Sequence, residues 1–222
     1  MLSKDRRNFH AWGYRQQVVS RLESAALAGT SLAEAEFAFT DKKIREDLSN
    51  YSAWHRRARL LPRLLDERGA DDAARRALLD GELGLVAEAL NVGPDDQSLW
   101  YYHRFLMRNL VSSVGRPTIA PSLAHEDRVT YVVRELDAIR DLLDDYADVR
   151  LLYDALVDCT LDLCRLQERR PDGQERDDLV VWLEKLKVLD PMRMGRWVDL
   201  EKTIGLQAEV MEETPGGVHI IK

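Results

Sequence analysis

Cysteine is nearly absent from this chain of 222 residues, and the two that occur exclude more than they offer. Cys159 and Cys164 lie five apart in one apolar helical run, which puts them on different faces. No second cysteine pair or histidine cluster accompanies them to complete a metal site. They read as buried free thiols of a reducing compartment. No apolar run reaches the ~18 residues that span a bilayer. The N-terminus has no signal-peptide core, so a cytoplasmic location is expected. Twelve glycines and seven prolines are few, and they collect between periodic segments. A net charge of -7 argues against a general nucleic-acid binder. The charge is uneven, with +4 over residues 1–70 and -11 over the remainder.

What the chain does have is a phrase used three times. Asn8-Phe9-His10-Ala11-Trp12-Gly13-Tyr14-Arg15 is followed by Asn50-Tyr51-Ser52-Ala53-Trp54-His55-Arg56-Arg57. A looser copy, Asp96-Gln97-Ser98-Leu99-Trp100-Tyr101-Tyr102-His103, precedes Arg104. The tryptophans are 42 and 46 residues apart, a period of helical-hairpin arrays. Asn8, Asn50 and Asp96 stand where a short polar side chain caps a helix. Phe9 and Tyr51 fall one turn before the tryptophan, and the basic residue falls one turn after it. Ala11 and Ala53 leave room for a neighbouring helix. The indole then locks one hairpin to the next, or the Asn/Trp/Arg stripe lines a binding surface.

The periodicity predicts helices over 9–28, ending at a Gly29 cap, and over 31–48, opened by a Ser31/Glu34 capping box. Further helices are expected over 51–65, 72–90 and 97–110, with Pro62 kinking or shortening the first of these. Residues 111–123 gather Ser, Gly and Pro and mark the one plausible internal boundary. Beyond it, helices are expected over 129–143, 151–166, 177–188 and 192–203. Pro191 precedes Trp197 by six residues, as Pro94 precedes Trp100. One helical-repeat domain is therefore expected over 1–204, with clear repeats over 5–110 and degenerate ones over 124–204. Residues 205–222 read as a loosely ordered tail. The first Trp helix has no antiparallel partner before it, which implies a preceding repeat or another chain over its apolar face.

These copies resemble the repeat of protein prenyltransferase alpha subunits, approximately Pro-x-Asn/Ser-x-x-x-Trp-x-x-Arg. The Asp96-Gln97-Ser98-x-Trp100-x-Tyr102-His103-Arg104 core is most similar to the Rab (type II) geranylgeranyltransferase group. The resemblance is strong over 5–110; over 124–204 it rests on periodicity and the Pro-to-Trp spacing. It implies an all-α, right-handed crescent of antiparallel hairpins wrapped around a catalytic beta subunit. Zinc and most of the isoprenoid pocket would then belong to beta, with no cofactor in this chain. The implied activity is geranylgeranyl transfer to C-terminal cysteines of Rab GTPases, presented by a Rab escort protein. The family's diphosphate-contacting lysine has no counterpart: Arg7 and Ser49 stand at that place, and by order it belongs one repeat upstream of Asn8. The absence of leucine-rich and immunoglobulin-like additions resembles the compact fungal form.

Carried over residue by residue, Asn8, Trp12, Arg15, Asn50, Trp54 and Arg57 become candidates for facing substrate or the second subunit. Phe9, Tyr51, Trp100 and Trp197 become repeat-packing residues. His10, His55 and His103 pair with no nucleophile at a recurring spacing, so no catalytic residue is assigned. Two alternatives stay open: a stand-alone adaptor binding peptides on its concave face, and the alpha subunit shared by farnesyltransferase and geranylgeranyltransferase I.

Overall fold

A computed structural model describes residue 2, residues 5–111 and residues 118–205. Among these residues the fold is entirely helical, with no strand: α1 (Phe9–Leu22), α2 (Ala33–Glu46), α3 (Tyr51–Glu67), α4 (Asp72–Val92), α5 (Gln97–Val111), α6 (His125–Asp145), α7 (Arg150–Leu166), α8 (Gly173–Leu189) and α9 (Met194–Ile204). Helices α2/α3, α4/α5, α6/α7 and α8/α9 pack as hairpins, and α3, α5 and α7 pack successively along one layer. This is a solenoid of helical repeats.

Short polar side chains open several of the helices. Asn8 accepts from the Ala11 amide at 2.8 Å, Asn50 from Ala53 at 3.2 Å, and Asp71 from Ala74 at 2.8 Å. At α8 the box is reciprocal, with Asp172 accepting from the Glu175 amide and Glu175 from the Asp172 amide, each at 2.9 Å. One apolar cluster runs from Trp12 through Trp54, Trp100 and Tyr153 to Trp197. Ile119, Ala120 and Leu123 belong to it, so this side of the expected boundary is packed into the core. Arg128 fixes the segment by donating to the carbonyls of Leu123 (3.0 Å), Leu110 (2.7 Å) and Pro121 (3.1 Å). The other part of that boundary, 112–117, and the expected tail from residue 206 onward lie outside the described residues.

Several local expectations are corrected. Helix α1 stops at Leu22 rather than Ala28, because the Ser24 hydroxyl takes the Arg21 carbonyl and a 3₁₀ turn, Ala25–Leu27, follows. Gly29 does not cap α1. It lets the chain fold back against the Leu22 carbonyl, where a Cβ would collide. No Ser31/Glu34 box forms. Ser31 donates to Glu67, Glu34 turns out to Arg68 at 2.7 and 2.9 Å, and Glu23 takes the Leu32 amide at 2.7 Å. Helix α3 continues past Pro62 to Glu67. Leu60, Leu61, Leu64 and Leu65 are buried on both sides of the proline, and that packing outweighs one missing backbone bond.

The outer face of α1 differs from its equivalents. Val18 and Leu22 are 38% and 49% exposed, whereas Leu60 and Leu64, 42 residues further on, are buried against Ala33 and Phe37 of α2.

Candidate functional site

The tryptophans build the repeat junctions by one rule. Each indole N–H donates to the carbonyl six residues earlier: Trp12 to Arg6 at 2.9 Å, Trp54 to Leu48 at 2.7 Å, and Trp100 to Pro94 at 2.6 Å. Trp197 reaches one residue further, to Asp190 at 3.4 Å. Tyr153 does the same in α7, its hydroxyl donating to the Ala147 carbonyl six residues back at 2.7 Å. Helix α7 is therefore a repeat helix with tyrosine in the indole's place. Neighbouring repeats are tied at these ends. The Arg6 carbonyl that takes the Trp12 indole also takes the Asn50 carboxamide at 2.9 Å. Ser49 donates to Asp96, and Ser98 donates back to the Ser49 carbonyl at 3.2 Å.

The basic residue three places after the aromatic also has a fixed partner. Arg15 reaches Glu36 on α2 at 2.5 and 3.3 Å, and Arg57 reaches Glu82 on α4 at 2.7 Å through both arms of its fork. His103 meets Glu135 on α6 at 3.3 Å. Each glutamate lies 18 residues before the next aromatic, Trp54, Trp100 or Tyr153. At the fourth junction the two positions are Leu156 and Leu179, both fully buried in the same apolar cluster. The acid half of this pattern was missed in the sequence, although the constant offset of 18 carries it.

Phenylalanine rings floor the cationic pairs. Arg15 lies 3.5 Å from the Phe39 ring centre and Arg57 3.9 Å from that of Phe37. The Tyr102 hydroxyl donates to Glu82 at 2.5 Å. Burial, with Glu82 beside it, pushes the Tyr102 phenol well above its ordinary pKa. Burial opposes the Arg57 charge, but the Glu82 hydrogen bonds outweigh it and hold that guanidinium above its ordinary value.

This geometry relocates most of the expected site. Asn50, Trp54 and Arg57 are buried within junctions and face no solvent that a partner or substrate would displace. Trp12 is also buried, and Asn8 is committed to capping α1 and to Asp5 at 3.1 Å. Arg15 keeps about a third of its side chain exposed, but its Nε and Nη2 donors are engaged by Glu36. Trp100 and Trp197 are buried in the apolar cluster.

Phe9 and Tyr51 do the reverse, at 78% and 48% exposed. Three residues before and three after the tryptophan lie about 60° to either side of it around the helix, at ~100° per residue. The following side meets the next repeat. The preceding side, at the first helical position, looks out past the hairpin. Tyr51 there packs against Tyr101 at 4.8 Å between ring centres and stacks on His55 at 5.9 Å. Burial, then Arg59 and Arg56, holds the His55 pKa below its ordinary value, favouring the neutral ring.

Between α5 and α7 lies a cavity of about 260 Å³ lined by Trp100, Met107, Leu151 and three aspartates one turn apart, Asp154, Asp158 and Asp162. Arg104 bridges Asp154 at 3.4 Å and Asp158 at 2.7 Å, and Arg196 meets Asp154 at 3.0 Å. Burial raises the Asp158 and Asp162 pKa values. Cys159 is buried and its thiol is pushed well above the ordinary range; burial takes Cys164 up to about 11. Both sulfurs are held as thiols rather than nucleophilic thiolates. Among the described residues no three His, Cys, Asp or Glu side chains are grouped to hold a metal ion. The chemistry on display is that of a packed scaffold with an aromatic and cationic outer face.

The paired helices also carry a family signature. Residues 33–64 and 79–110, which hold α2 and most of α3, α4 and α5, match the protein prenyltransferase alpha subunit repeat. Over 208 residues the chain is 32% identical to the geranylgeranyl transferase type-2 subunit alpha of Schizosaccharomyces pombe, covering 92% of this chain and 59% of that protein. The protein of the same name from Saccharomyces cerevisiae is 33% identical over 109 residues, 49% of this chain and 32% of its own length. That of Rattus norvegicus is 44% identical over 108 residues, 48% of this chain and 18% of its own length. The chain thus spans less than two thirds of the curated relatives it matches. With the likeness extending over nearly its whole length, the chain carries protein prenyltransferase alpha subunit repeats and is similar to type-2 alpha subunits.

Proposed function

We propose that this chain serves as the alpha subunit, or a part of it, in a heterodimeric protein geranylgeranyltransferase that modifies C-terminal cysteines of Rab GTPases. The observation that carries this reading is the reach of the likeness to a type-2 alpha subunit. It covers 92% of the chain, including α6 to α9, where the motif has faded to Tyr153 and Leu156. The geometry supports a scaffold's role: the recurring cations of the motif, Arg15 and Arg57, are engaged by glutamates that hold hairpins together. Catalysis, the zinc ion and most of the isoprenoid pocket then fall to the beta subunit, and this chain alone does not turn over. A Rab escort protein presents the substrate, and the complex works in the cytoplasm.

Co-expression with a type-2 beta subunit tests the reading. A tight one-to-one complex burying well over ~2,000 Å² is expected, as obligate pairs do, and it should bind the escort protein with its Rab cargo. A monodisperse chain indifferent to beta would overturn it in favour of a stand-alone adaptor. A complex that prenylates short CaaX peptides without an escort would replace it with the subunit shared by farnesyltransferase and geranylgeranyltransferase I.

A further inference from the structure

Helices α3 and α5 carry six arginines between them, and four are matched to carboxylates. Arg56 lies 3.6 Å from Glu36, Arg57 is on Glu82, Arg63 on Glu23 at 2.8 Å, and Arg104 on Asp154 and Asp158. Arg59 and Arg108 have no carboxylate partner and no hydrogen bond among the described residues, and both are exposed. The chain has 39 acidic side chains against 32 basic ones, so a lack of available carboxylates does not explain this. The two are neighbours of one aromatic group. Tyr51, His55 and Arg59 follow at intervals of four on α3, and the Arg59 and Arg108 charges both act on the Tyr101 phenol of α5.

We infer that Arg59 and Arg108, flanking the Tyr51–Tyr101 pair, form a docking surface for a carboxylate-bearing face of the beta subunit. This rests on the alpha-subunit reading and deepens it by moving the intersubunit arginines from Arg15 and Arg57, which are spent internally, to this pair. A guanidinium offers a planar fork of donors that a carboxylate matches in two bonds. Left in water it gains nothing from that geometry. Tyr51 and Tyr101 supply what a charged rim lacks, rigid rings with a polar tip beside an apolar edge, and tyrosine and arginine are the residues enriched at protein interfaces. Nucleic acid fits poorly, because residues 71–222 carry a net charge of -11.

The test is a binding titration of the chain with the type-2 beta subunit at low and high salt, comparing wild type, R59E/R108E and the control R21E. Arg21 is also exposed, on α1. The double reversal is expected to weaken binding roughly 10- to 100-fold and to remove most of its salt dependence, while R21E binds as wild type. Unchanged thermal melts show that the variants are folded. Wild-type affinity and salt dependence in a folded R59E/R108E would overturn the inference and leave the subunit reading standing. Failure of wild type itself to bind beta would sink that reading and this inference together. If the reversal instead abolished self-association of the chain alone, the surface would be a contact between copies, and the beta assignment would be wrong.

Discussion

The guanidinium of Arg57 on α3 meets the carboxylate of Glu82 on α4 through two hydrogen bonds of 2.7 Å, with both side chains almost wholly buried. Tyr102 adds its hydroxyl to the same carboxylate, and Phe37 lies against the guanidinium. A buried charge is costly without its counter-ion, so the two helices are held in the one register that lets the pair close.

Breaking that pair from one side is expected to be severe. Arg57→Ala leaves the Glu82 carboxyl buried without its counter-ion, with only the Tyr102 phenol beside it, and should cost ~3–5 kcal/mol. Urea unfolding measures it. A loss below about 1 kcal/mol would mean that water reaches Glu82, as at a surface pair.

Trp54→Ala should be comparably damaging. The ring is fully buried, packs at a tilt with 4.7 Å between its centre and that of Tyr102, and satisfies the Leu48 carbonyl. Truncating it opens a cavity at a repeat junction and should cost ~3–5 kcal/mol. A melting temperature unchanged to within a degree would contradict the placement.

Tyr153 offers a subtler check, because only its hydroxyl performs the indole's task. Tyr153→Phe keeps the ring and frees the Ala147 carbonyl, at an expected cost of about 1 kcal/mol. Tyr153→Phe as stable as wild type in urea would show that the hydroxyl does not tie α7 to the preceding loop.

Acid should release the start of α8. Hydrogen bonds from Arg169 hold Glu175 down at about 2, against an ordinary 4.5. A carboxylate with a lowered folded pKa stabilises fully above the unfolded value, and the contribution disappears as pH falls through the folded one. Wild type should therefore exceed Glu175→Gln in melting temperature above about pH 4.5, with the gap closing towards pH 2. A gap independent of pH across that window would show that the ion pair is not its source.

Much of this architecture was legible in the sequence, and the rest was hidden for physical reasons. The indoles of Trp12, Trp54 and Trp100 announced their helices because a large ring at a fixed offset from a cap has few other uses. Helix α7 looked generic. Its aromatic is Tyr153, 53 residues after Trp100, and its basic position has become Leu156. The partners Glu36, Glu82 and Glu135 went unseen because they lie across a turn, and their shared offset of 18 shows only when helix pairs are superposed. Arg57 read as a surface cation, since sequence alone does not reveal that a charge is buried with a counter-ion. Phe9 read as core because a large apolar ring usually is; at the first position of α1 it is 78% exposed, and no neighbouring element among the described residues covers it.

The central claim is that each of the first three junctions closes on a basic side chain three residues after the aromatic and an acid 18 residues before the next one. A double-mutant cycle tests it most directly, using Arg57→Met, Glu82→Gln and the pair together, with stability read by urea unfolding. A coupling of about 2–3 kcal/mol between the two sites is expected, the double variant being far less damaged than the sum of the singles. Strictly additive losses would mean that the two side chains do not sense each other, and the junction rule would fail.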